Sequence, residues 1–114
     1  MEEMLKKYSD IDVIISQNDD MTFGAIEALK EAGLTTGIDG DIFIESFDAG
    51  HEALSLVQQG IINVDIECNP LQGEYVAETI YNLENGFTVL KSTIVEENVF
   101  TIDNVNDYID GRSY

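Results

Sequence analysis

A chain of 114 residues with 44% hydrophobic content holds enough apolar material for one modest core and too little length for two ordinary domains. Twenty-three acidic against five basic residues leave a formal charge of -18, a field that repels phosphate backbones and anionic lipid head groups and so argues against nucleic acid as a partner. The single cysteine, Cys68, excludes an internal disulfide, and no window approaches the roughly 18 apolar residues of a membrane span.

In chain order, Glu2 to Tyr8 has the spacing of a short lead-in helix, charged and without the apolar run of an export signal. Val13 to Ile15 reads as a strand. Met21 to Ala32 switches to helical spacing with Met21, Ala25, Leu29 and Ala32 on one face, and Gly33 follows as a left-handed terminator. A turn at Asp39-Gly40 leads to a second strand over Ile42 to Phe47, then Asp48-Ala49-Gly50 and a helix from about His51 to Gln59, ended by Gly60. Ile61 to Ile66 is a third strand. Asn69-Pro70 sets a cap and a first helical proline for a helix to about Leu83, closed by Asn85-Gly86, with Val76, Ala77, Ile80 and Leu83 toward one side. Thr93 to Val95 and Val99 to Ile102 are short extended pieces, and Asn104 to Tyr114 reads as a polar, acidic tail.

Strands alternating with helices of this length make the class α/β, an open parallel sheet with flanking helices. Successive strands then end at Gln17-Asn18, Phe47-Asp48 and Glu67-Cys68, so polar groups gather along one sheet edge, where parallel sheets hold small molecules. From spacing alone, Asn18 and Asp20 fit a helix cap, and Asp48 before Ala49-Gly50 fits a turn as well as a ligand contact. Cys68 reads as a buried packing thiol, with no basic neighbour in sequence to activate it. His51, the only histidine, belongs to an exposed first helical turn and cannot recruit a metal site locally.

Three motifs occur in order at these strand ends: Gln17-Asn-Asp-Asp-Met with Gly24-Ala-Ile-Glu-Ala28, Ser46-Phe-Asp-Ala49, and Ile66-Glu-Cys-Asn-Pro-Leu-Gln-Gly73. Together they resemble the carboxyl-terminal part of type I periplasmic sugar-binding proteins of ABC transporters, the ribose- and galactofuranose-binding group, from Asp10 to Asn104. In that family two α/β lobes close over a sugar, and the second lobe offers an asparagine, an aspartate and usually a glutamine. These positions fall on Asn18, Asp48 and Cys68. Cys68 departs from the ribose-type pattern, although Glu-Cys-Asn-Pro resembles the galactofuranose-binding branch. Asp19 and Asp20 stay with capping and the helix dipole.

The resemblance implies a solute-binding component of a bacterial sugar ABC transporter, taking a mono- or small oligosaccharide, with no catalytic role, cofactor or metal. The implied partners are the sugar and, through the full-length protein, the transporter permease, in the periplasm or at the cell surface. The chain would be roughly the last two-fifths of a typical member, whose lobes each need on the order of 100 to 150 residues. Residues 1–68 and 97–114 would form part of the carboxyl-terminal lobe, and residues 69–96 would cross the hinge into a missing amino-terminal lobe. The helix over 70–84 would then seek that lobe or another copy of the chain. The effector-binding domain of a sugar-responsive transcription regulator, which shares this fold, is one alternative, and an enzyme using Asp48 or Cys68 is the other.

Overall fold

A computed structural model describes residues 1–114. Its elements are α1 (Glu2–Leu5), β1 (Val13–Ile15), α2 (Asp19–Glu31), β2 (Phe43–Asp48), α3 (His51–Gln58), β3 (Val64–Glu67), α4 (Gly73–Glu84) and β4 (Val99–Phe100), followed by two 3-10 turns over Val105–Asp107 and Ile109–Gly111. The sheet order is β1-β2-β3-β4. The first three strands are parallel, and β4 adds an antiparallel edge to β3.

Register sorts the strand residues into two faces, because successive side chains alternate. On one face lie Ile44, Ser46, Asp65, Glu67 and Phe100, all buried, beneath Leu29 of α2 and Ala53, Leu54 and Val57 of α3. On the other, Val13 pairs with Phe43, Phe47 with Ile66, and Ile66 with Val99. No helix covers that second face. Val13, Ile15, Phe43 and Val99 are 53%, 67%, 40% and 52% exposed, although parallel sheets are normally sheathed on both sides.

The helices α2, α3 and α4 share one ending. Gly33, Gly60 and Gly86 adopt positive φ, and the following N–H reaches back to close the last turn, Leu34 to the Leu29 carbonyl at 3.0 Å, Ile61 to Leu56 at 2.9 Å and Phe87 to Asn82 at 2.9 Å. Glycine is needed at each because the left-handed region disfavours a Cβ.

Four details depart from the sequence reading, the first being the third strand, which begins at Val64 and not at Ile61. Asn69 does not cap α4; its Oδ1 accepts the Leu71 N–H at 2.8 Å, which makes a local turn, and the helix begins only at Gly73. Thr93 to Val95 is not a strand. The stretch from Asn104 to Tyr114 is no loose tail: Val105 and Ile109 join the core, the Tyr108 ring meets Phe100 edge-on at 5.3 Å, and the Tyr114 carbonyl accepts the His51 N–H at 2.6 Å. Most of its polar residues face out, Arg112 excepted, while two aliphatic ones four positions apart close the end of the core.

By contrast α4 buries no residue. The radius of gyration is 18.1 Å, against roughly 13 Å for a compact chain of this length. An extended, unpacked region accounts for the difference.

Candidate functional site

Because β1, β2 and β3 are adjacent and parallel, their carboxyl ends lie together, and Asn18, Asp48 and Cys68 come to one edge of the sheet. Asp48 is exposed, pairs with Glu67 across the strands, and accepts the Cys68 N–H on its backbone carbonyl at 3.4 Å. Its φ is 107° and that of Ala49 is 56°, a conformation costing about 1 to 3 kcal/mol for residues with side chains. Such strain persists only where neighbours impose it.

Those neighbours form one hydrogen-bonded network. Asn18 is the N-cap of α2, and its Oδ1 accepts the Met21 N–H at 2.9 Å. The Thr22 hydroxyl lies 2.9 Å from the Asn18 carbonyl and 2.7 Å from Ser46 Oγ. Ser46 Oγ donates to Asp19 Oδ1 at 2.6 Å, and Asp19 Oδ2 accepts the Gly50 N–H at 2.8 Å. Asp19 therefore tethers the end of β2 to the start of α2, which corrects its reading as a capping residue. Ser46, Thr22 and Asp19 are all buried.

The edge has defined chemistry. The Asn18 amide keeps its two N–H donors, because only its oxygen is used by the protein. The Asp48 carboxylate is a free acceptor with room for two hydroxyls. Cys68 is exposed, contrary to its expected burial, and offers only a weak donor and acceptor. The edge thus presents donors on one strand end and acceptors on the next, and a hydroxyl group can meet either.

Beside this edge, Glu67 binds the carboxyl-terminal segment. Its Oε1 accepts from Arg112 Nη1 and Tyr114 Oη, each at 2.6 Å, and its Oε2 from both the backbone and side-chain N–H of Asn98 at 2.9 Å. Arg112 also contacts Tyr114 Oη and stacks against the Phe100 and Tyr114 rings. Burial alone would raise the Glu67 carboxyl, but these donors outweigh it and hold it down at about 2. Burial and the Glu67 carboxylate push the Tyr114 phenol up to about 12. A cleft of about 360 Å³ opens here between Glu67, Asn69, Asn98, Tyr108 and Arg112. Neither Asn18 nor Asp48 lines it.

Sequence reasoning missed Ser46, Asp65 and the Glu67–Arg112 pair. The signal for Asp65 was a carboxylate inside the apolar run Ile61 to Ile66, between Val64 and Ile66. For Arg112 it was rarity, one of five basic residues in an acidic chain.

The sequence matches the family model of the periplasmic binding protein domain over residues 1–87. A fructose import binding protein of Bifidobacterium longum is 30% identical over 100 residues, 88% of this chain and 29% of that protein. A galactofuranose-binding protein of Escherichia coli is 38% identical over 58 residues, 51% of this chain and 18% of that protein. Among solved structures, a Mycobacterium smegmatis protein in complex with β-D-fucofuranose superposes with a TM-score of 0.87 at 32% identity, over 96% of this chain and 35% of that one. The chain thus spans 18% to 35% of these three proteins.

Proposed function

This chain belongs to the periplasmic binding protein domain family, and from that premise we propose that it is the sugar-contacting part of a solute-binding component of a bacterial ABC importer, holding a mono- or small oligosaccharide. Asn18 and Asp48 make the contacts, Asn18 through its free amide hydrogens and Asp48 through its carboxylate. Cys68 borders the same edge and adds shape more than hydrogen bonding. The observation that carries this reading is the free Asp48 carboxylate on its strained turn, beside the unused Asn18 amide, at the carboxyl ends of adjacent parallel strands.

The role is binding without turnover. The relatives named for what they bind are import or sugar-binding proteins, not regulators. In the complete protein, residues 69–96 cross the hinge toward a second lobe that supplies the rest of the sugar contacts, and the protein works in the periplasm or at the cell surface, where its partner is the transporter permease. The unpacked α4 agrees with that assignment.

Amide chemical shifts of the 114-residue chain, followed while D-ribose, D-galactose or D-fructose is added, test the reading. At least one sugar is expected to move Asn18 and Asp48, and Asp48→Asn to reduce the response. Shifts confined to the Glu67–Arg112 cleft, or none at all at the highest soluble sugar concentration, would overturn it.

A further inference from the structure

We propose that Asp19 and Asp65 are positioning residues, two carboxyls sharing one proton, that lock the Asp48–Gly50 turn and thereby aim the Asp48 carboxylate; this deepens the reading of Asp48 as a ligand contact and rests on it.

Asp65 is fully buried, and neither of its oxygens makes a hydrogen bond of ordinary geometry. An ionised carboxylate left so is among the costliest groups to bury. Its place in the sheet supplies the remedy. Asp65 is the cross-strand partner of Ser46, whose hydroxyl already bonds Asp19, so the Asp19 charge acts on the Asp65 carboxyl. With a proton on Asp65, its O–H donates to Asp19. The Asp19 carboxylate then accepts from Ser46, from Gly50 and from Asp65, and no oxygen of Asp19 is idle. Burial first, and the Asp19 charge second, push the Asp65 carboxyl up to about 8, while the Ala49 backbone N–H offsets part of the rise. One carboxyl thus grips the turn at Gly50 and the other lies against Ala49. Between them they impose the positive φ of Asp48 and Ala49.

Other charges do not supply this proton or cancel it. Asp48 adds a further negative charge that raises both carboxyls. On α3, His51 and Glu52 are exposed; on β3, Glu67 is neutralised by Arg112; in the 3-10 turns, Asp107 and Asp110 are exposed; and β4 carries no titratable residue. When the pair loses its proton, two carboxylates face each other under the turn, and the hold on Gly50 weakens.

The wild-type chain with labelled aspartate carboxyls, titrated by NMR from about pH 5 to about pH 10 around the expected transition, provides the test. One carboxyl, identified by its absence in Asp65→Asn, should titrate at about pH 8, and the amides of Asp48 and Gly50 should shift along the same curve. Asp65→Asn keeps a neutral donor to Asp19, so both amides should stay at their low-pH positions throughout. Asp19→Asn should speed Gly50 amide exchange by about tenfold or more, as expected for a locally released turn. Titration of Asp65 below about pH 5, near an ordinary carboxyl, or flat Asp48 and Gly50 amides across its transition, would overturn the proposal. None of these readouts needs a ligand. If the pair behaves as expected while D-ribose, D-galactose and D-fructose all leave Asp48 unmoved, the sugar reading fails and the pair stands.

Discussion

Two buried acids with opposite environments give the chain opposite pH limbs. Asp65, crowded by burial and by Asp19, has its carboxyl raised from 3.8 to about 8. Its contribution to stability is therefore complete below about 4, and is lost as pH rises through about 8. Glu67 has the reverse sign: held down from 4.5 to about 2 by Tyr114, Arg112 and Asn98, it stabilises above about 4.5 and ceases to do so as pH falls through about 2. Thermal melts across pH should show both limbs, with Asp65→Asn flattening the alkaline one and Glu67→Gln the acidic one. Because Arg112 and Glu67 are each 6% exposed, Glu67→Gln strands a buried guanidinium. Urea unfolding at pH 7 should register a loss of about 3 kcal/mol, shrinking toward zero in acid.

At the scale of elements, two glycines in different settings should respond oppositely to alanine. A Cβ on Gly37 would lie 1.8 Å from the Gly60 carbonyl oxygen, and Gly37 has φ of +94°. Gly37→Ala should cost more than about 1 kcal/mol by both clash and strain. Gly24 lies inside α2 with no atom within 4 Å of the place a Cβ would take, so Gly24→Ala should stabilise by roughly 0.5 to 1 kcal/mol. The helix α4 supplies a third contrast. Ile80 and Leu83 are 52% and 58% exposed, and replacing both by serine should change stability by no more than about 0.5 kcal/mol, while lowering any concentration-dependent association seen by light scattering. A large loss of stability in that variant would mean that the helix packs on the sheet in solution.

Over the whole molecule, net charge and uncovered surface act against each other. A charge of -18 on 114 residues repels itself within the fold, and salt at about 1 M, where the screening length is about 3 Å, should raise the melting temperature. The same salt removes the repulsion between copies that protects the open sheet face of Val13, Ile15, Phe43 and Val99, so association should rise with it. Sugar affinity belongs to this scale as well. One strand-end edge offers a few hydrogen bonds in open water and no enclosing surface, and titration calorimetry should return dissociation constants on the order of millimolar or weaker. Micromolar binding by this chain alone would show that the edge is more complete than its geometry indicates.

The local pattern of the sequence was sufficient for the α/β class, for the three parallel strands and their helices, and for the edge that Asn18, Asp48 and Cys68 share, because alternation, helical spacing and glycine terminators act over a few residues. The resemblance carried by Asn18-Asp19, Phe47-Asp48 and Glu67-Cys68-Asn69-Pro70 also extended to the family. What remained hidden depended on contacts between distant parts of the chain. Asp19 looks like any first-turn acid until Ser46 and Gly50, 27 and 31 residues away, are folded onto it. The last eleven residues look like a solvated tail until Val105 and Ile109 meet the core and Arg112 finds Glu67, 45 residues earlier. Propensity and spacing report on neighbours in sequence; which carboxylate is buried, which proton it keeps and which partner neutralises it are set by packing, and only the tertiary structure decides them.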